Sequence, residues 1–199
     1  MGTELGSVVF NLVEEIADLS ILFSEYKVLC ESGEERVQLL NRAAPNFFHR
    51  IQILMERELI LGIGRITDKE MSLGTIPNLT VRKLEKLVEA KLPGKGASVK
   101  TVSDSALAAA SFVTDWRNRW LAHRDLELSV NPATARPLDR ATLGKIDDAL
   151  KALCSVMNSV FSTFGFTGKG LGDFPAPFGG ASSLVKVIDK GMRVPDPQS

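Results

Sequence analysis

Residues 115–125 read Asp-Trp-Arg-Asn-Arg-Trp-Leu-Ala-His-Arg-Asp. Arg117, Asn118, Arg119, His123 and Arg124 lie close together here, interleaved with Trp116 and Trp120, the only two tryptophans in the chain. A guanidinium presents a planar fork of donors that matches phosphate oxygens. An imidazole, with an ordinary pKa of about 6.5, gives or takes a proton at neutral pH. Together these residue types point to an anion held beside a proton-transfer group. The 24 Lys and Arg are balanced by 24 Asp and Glu. No global field draws the protein to nucleic acid or an anionic membrane, so any polyanion site must be local.

The cluster falls at the end of a helix expected from about Ser98 or Ser103 to Ala122, through the helix-favouring run Ala106–Ala110. On an ideal helix Trp116 and Trp120 share a face, as do Arg119 and His123, and Arg117 and Arg124. Arg117 and His123 sit roughly 120° apart at about 3.6 residues per turn. To act together they need a bridging substrate, a deformed last turn or a second chain. The plainer reading of the same residues is a solvated Asp115–Arg119 ion pair beside core tryptophans.

Four further helical stretches support this one. Glu4–Glu31 carries Leu5, Val8, Val9, Leu12, Ile16, Leu19, Leu22, Phe23, Tyr26 and Leu29 at helical spacing, and Ser32-Gly33 ends it. Glu34–Thr67 is a second long stretch that Pro45 kinks or splits. Within it Gly62 and Gly64 lower helical propensity and open room for a neighbour. Asp68–Leu79 reads as a loop, and Asn78 or Thr80 caps a short helix over Val81–Leu92. Leu126–Pro137 reads as extended or looped. A last long helix, capped by Asp139, runs to Phe164. Residues 165–199 hold 7 of the 16 glycines and 4 of the 9 prolines. The expected fold is all-α: an elongated antiparallel bundle of four to five helices over 1–164. A Gly/Pro-rich tail follows over 165–199, with one short helix near Ala181–Lys190.

Other motifs fail on chemistry. The Gly165–Gly172 run lacks the Gly-Lys-Ser/Thr ending of a phosphate loop, and no strand precedes it. No metal site or cofactor is expected: neither His49 nor His123 has the Glu three residues before it that di-metal bundles use, and no zinc spacing occurs. Cys30 and Cys154 sit in apolar stripes and read as inert core, although a Cys–His nucleophilic pair stays open. Two cysteines, no basic leader and no long apolar run point to a soluble cytoplasmic protein without a membrane span.

The run Arg117-Asn118-x-x-x-x-His123 resembles the signature of HEPN domains, the higher-eukaryote and prokaryote nucleotide-binding family. With upstream Gly64-Arg65-Ile66-Thr67-Asp68 it resembles the subgroup named for a phage abortive-infection protein. The resemblance covers roughly Leu12–Phe164 in helix order. It implies a bundle that dimerises with the motif near the subunit interface. It also implies a metal-independent endoribonuclease of a toxin–antitoxin or antiphage system, with an antitoxin protein as a possible partner. In such an enzyme the RNA 2′-hydroxyl is the nucleophile. His123 is then the acid–base group, Arg117 the phosphate ligand and Asn118 a positioning group, with Arg119 and Arg124 as auxiliary RNA contacts. Other members have lost catalysis, so a silent dimerisation, nucleotide-binding or partner-binding module is the competing expectation.

Overall fold

A computed structural model describes residues 1–31, 33–121, 125–131, 133–172, 174–175 and 177–193. The described residues are 72% helix and 2% strand, so the fold is all-α. The expected count of four to five helices is corrected: the described residues form nine α-helices.

α1 spans Thr3–Cys30. Pro45 splits the next stretch into α2 (Glu34–Ala43) and α3 (Pro45–Thr67). Proline is tolerated at a first helical position because its missing N–H has no intrahelical partner there. The 68–79 loop holds a short hairpin of β1 (Met71–Ser72) and β2 (Ile76–Pro77). The Thr80 hydroxyl accepts from Arg82 N–H at 3.4 Å and caps a 3₁₀ turn, Val81–Lys83, that leads into α4 (Leu84–Lys91). The stretch expected over 98–122 is not one helix. α5 covers Gly96–Ala109, i→i+3 bonds tighten the chain at Ala110 and Ser111, and α6 covers Phe112–Trp116. Residues Arg117–Leu121 then form a π-helical stretch.

Two further expectations are corrected. Leu126–Val130, read as extended, is a helix, α7, because Asp125 accepts from Glu127 and Leu128 N–H and caps it. α8 (Leu143–Thr163) is capped by Thr142, which accepts from Lys145 N–H at 3.3 Å, and not by Asp139. The tail helix, α9, is Ala181–Met192.

The helices gather into two compact units, one of Met1–Leu19 and Ile60–Gly172, the other of Ser20–Leu59 and Asp173–Ser199. In the first, Leu5, Leu12 and Ile16 of α1 and Ile60, Ile63 and Ile66 of α3 are buried, and α5 packs against α4 and α8. A glycine-rich segment closes this unit. Asn158 donates to the Leu171 carbonyl and accepts its N–H, both at 2.7 Å. A Cβ on Gly170 would sit 2.6 Å from the Asn158 amide oxygen, so close approach to α8 accounts for that glycine. In the second unit Leu29, Leu39, Leu40, Ala181 and Val185 form the core where α2 meets α9. Glu25 accepts the Ala181 N–H at 3.3 Å. Among the described residues no helix is long and apolar enough to cross a membrane.

Gly62 sets how closely α1 approaches α3. A Cβ there would fall 2.4 Å from Leu19 Cδ2 and 3.1 Å from its Cγ, and Leu19 is itself buried. Gly62→Ala is expected to destabilise the protein by about 1–3 kcal/mol, as overpacking does. Gly64→Ala meets only ordinary contacts, at 3.8 Å, and should be neutral or mildly stabilising. Urea unfolding of both variants checks the contrast.

Candidate functional site

The π-helical stretch begins at Arg117, so the α-helical arithmetic that places side chains around this segment stops applying there. Single-turn π segments recur at functional sites because they re-aim the residues they carry. Arg119, in the middle of the stretch, is tied on every side. Its Nε donates to Asp125 Oδ2 at 2.9 Å, Nη1 to Asp115 Oδ2 at 3.5 Å, and Nη2 to the Arg136 carbonyl at 2.8 Å. Its carbonyl accepts Asp125 N–H at 2.8 Å. The Asp115–Arg119 pair expected from spacing is present, and it is shielded, with side chains only 11% and 16% exposed. Asp115 also accepts from the Arg136 guanidinium and from Asp139 N–H at 3.2 Å. Trp116 Nε1 donates to the Asp139 carbonyl. Both tryptophans are half-buried.

Arg117 faces elsewhere. Its Nη1 lies 2.8 Å from Asp68 Oδ2, and its Nε donates to Asn118 Oδ1 at 3.2 Å. Asp68 closes the Gly64–Asp68 run at the end of α3, so the fold brings the two sequence motifs into contact. Both line a cavity of about 150 Å³ with Gly64, Thr67, Lys69, Arg82, Val113 and Thr114. Gly64 keeps it open, since any side chain there would point toward Arg117 and Val113. Arg82 Nε donates to the carbonyls of Thr67 and Asp68 at 3.1 and 3.0 Å. The cavity therefore sets three cations against one carboxylate. Burial pushes the Asp68 carboxyl upward. The hydrogen bond from Arg117, the Lys69 N–H and the neighbouring positive charge outweigh this and leave it below the usual range.

The cavity measures about 150 Å³. That suits a phosphoryl group and is too small for a nucleotide, which needs a pocket of roughly 300 Å³ or more. Asn118, whose amide oxygen accepts from Arg117 Nε, is exposed. His123 and Arg124 lie outside the described residues. On either side of them, Arg119 and Asp125 are joined through both backbone and side chains.

Cys30 and His49 line one cavity of about 290 Å³ in the second unit, with Leu29, Leu40 and Phe48. Burial, followed by the charge of Glu56, pushes the Cys30 thiol up, away from the thiolate a nucleophile needs. Among the described residues no group of three or more His, Cys, Asp or Glu could hold a metal ion. Sequence reasoning missed Lys69 and Arg82 as site residues. A single Arg two positions after a capping Thr carries no pattern that marks it.

Residues 3–174 match the AbiU2 family of HEPN domains, an abortive-infection family, and the chain belongs to it. No curated protein and no solved structure gives a significant match.

The Asp125 carboxyl is held below its usual range by the hydrogen bond from Arg119, then by Leu128 N–H. An acid depressed on folding adds stability that is complete above its unfolded pKa, about 3.9, and is lost as pH falls through the folded value. The melting temperature of the wild type is expected to exceed that of Asp125→Asn at pH 7, with the gap closing below about pH 4. A gap that stays constant to pH 2.5 would show that folding does not lower the Asp125 pKa.

Proposed function

We propose that this protein is a metal-independent endoribonuclease of an abortive-infection or toxin–antitoxin system. The observation that carries this reading is the Arg117–Asp68 pair in a small, cation-lined cavity beside the Arg-Asn-x-x-x-x-His run. In the proposed reaction a phosphodiester of RNA rests against Arg117, with Lys69 and Arg82 adding positive charge. His123 takes the proton from the adjacent 2′-hydroxyl, whose oxygen then attacks phosphorus. The bond from phosphorus to the 5′-oxygen breaks. That oxygen regains a proton from the imidazolium or from solvent, leaving a 2′,3′-cyclic phosphate and a 5′-hydroxyl. The guanidinium stabilises the charge that builds on the phosphoryl oxygens, where fixed donors contribute most.

Asn118 holds the Arg117 Nε and so orients the fork. Arg119, whose three guanidinium nitrogens all donate within the protein, serves as the frame of the motif more than as an RNA contact. Arg124 remains a candidate auxiliary contact. A homodimer, expected for such domains, would set two copies of the motif across one groove. An antitoxin protein is the partner this reading implies.

The test is cleavage of single-stranded RNA in EDTA. Wild type should cleave. His123→Ala should lose about 10²–10⁴ in rate, as removal of a positioned acid–base group does. Arg117→Ala should lose a comparable factor, and Arg117→Lys should recover only part of it because an ammonium has no fork. His49→Ala should cleave normally. An inert wild type, or a His123→Ala variant of undiminished rate, would leave the chain as a silent binding module.

A further inference from the structure

The hairpin of β1 and β2 is built in an unusual way. Among the described residues Leu73 is the only non-glycine in the left-handed region, with φ +49°, followed by Gly74 at +75°. Positive φ at both central turn residues is ordinary for Asn-Gly and unfavourable for leucine. Thr75 N–H donates to the Ser72 carbonyl at 3.1 Å and closes the turn. Leu73 is 91% exposed, and Met71, Ile76 and Leu79 beside it are also exposed. A strained apolar tip that buries nothing in its own chain stabilises no fold by itself.

Its base, by contrast, is tied down. Asn78 Nδ2 donates to the Lys69 carbonyl at 2.8 Å, Asn78 N–H to the Glu70 carbonyl at 2.9 Å, and Thr80 Oγ1 to the Asp68 carbonyl at 2.9 Å. Lys86 pairs with Glu70 at 2.9 Å. Asp68 and Lys69, to which these bonds reach, are the rim of the Arg117 cavity. Leu73 lies five positions along the chain from Asp68, a reach of at most about 18 Å. A tip fixed to that rim stands within a few nucleotides of whatever fills the cavity.

We propose that the Leu73 tip is the base-contacting element of the site: it packs against an unstacked nucleobase of single-stranded RNA whose phosphate occupies the Arg117 cavity. The proposal rests on the nuclease reading above. Charge complementarity favours this occupant, because the cavity carries excess cations and holds only the phosphoryl group of a ligand whose remainder must cross the adjacent surface. Strand addition to a second copy fits poorly. Each strand has two residues, and Pro77 lacks a backbone donor.

The experiment measures binding of a single-stranded RNA by fluorescence anisotropy in a His123→Ala background, with and without Leu73→Asn. Asparagine tolerates the turn's positive φ, so the melting temperature should not fall. Affinity should drop on the order of tenfold, as loss of one leucine contact implies. The dependence on salt should be unchanged, because that slope counts phosphate contacts. RNA with abasic residues should bind the Leu73 protein about as weakly as intact RNA binds the variant, and the variant should not distinguish the two RNAs. RNA binding or cleavage with no effect of Leu73→Asn would overturn the proposal while leaving the nuclease reading intact. Dissociation of a dimer by Leu73→Asn in light scattering would also overturn it, making the tip an interface between copies. Failure of the wild type to bind or cleave RNA would remove both readings.

Discussion

The tie between Arg119 and its acceptors is the constraint on which the site depends. One guanidinium joins Asp115 of α6, Asp125 at the start of α7 and the Arg136 carbonyl. Asp125 in turn caps α7, and Asp115 holds Arg136 and Asp139. Charge-assisted bonds of this kind are strong when both partners are shielded from water. A chain leaving a helix through a wide π turn would otherwise be free to settle in several ways. Here Arg119 and Asp125 are fixed to one another through both backbone and side chains.

That division of labour makes two neighbouring arginines different in kind. Arg119 donates from all three of its guanidinium nitrogens to acceptors within the protein, whereas among the described residues Arg117 pairs with one carboxylate, Asp68, in an open, cation-rich cavity. The Asp68 carboxylate keeps the guanidinium in place without neutralising the cavity, since Lys69 and Arg82 remain. An anion arriving there meets a net positive site whose donors are already oriented, which lowers the ordering cost of binding. Gly64 keeps the volume open and Gly62, half a turn earlier, lets α1 close against α3. The two glycines therefore serve opposite ends, one leaving a cavity open and the other letting two helices close together.

The long helices were legible in the sequence because their apolar residues recur at helical spacing and their faces are buried as that spacing implies: Leu5, Leu12 and Ile16 in α1, and Ile146, Leu153 and Met157 in α8, are cases in point. Breaks were harder to read. The helix count was too low because the stretch expected as one helix over 98–122 breaks at Ala110 and Ser111 into α5 and α6. Asp125 also starts α7 in a stretch where prolines argued for extended chain. Asp139, expected as a cap, instead donates its N–H to Asp115 across the fold, a tertiary preference that local propensity does not encode, and Thr142 caps α8. At the site, the motif itself marked Arg117 and Asn118. Its closure by Asp68, Lys69 and Arg82 depends on contacts tens of residues apart, and Arg119 reads as one more basic residue until its acceptors are in view.

The distinction between the two arginines is the centre of the account, and arginine side-chain NMR reads it directly. The Nε–Hε resonances are followed while a 2′,3′-cyclic mononucleotide is titrated into the protein at low salt. The Arg117 and Arg82 signals should shift with ligand concentration, and the Arg119 signal should stay in place and exchange slowly with water. Movement of Arg119 with Arg117 unmoved would contradict the account.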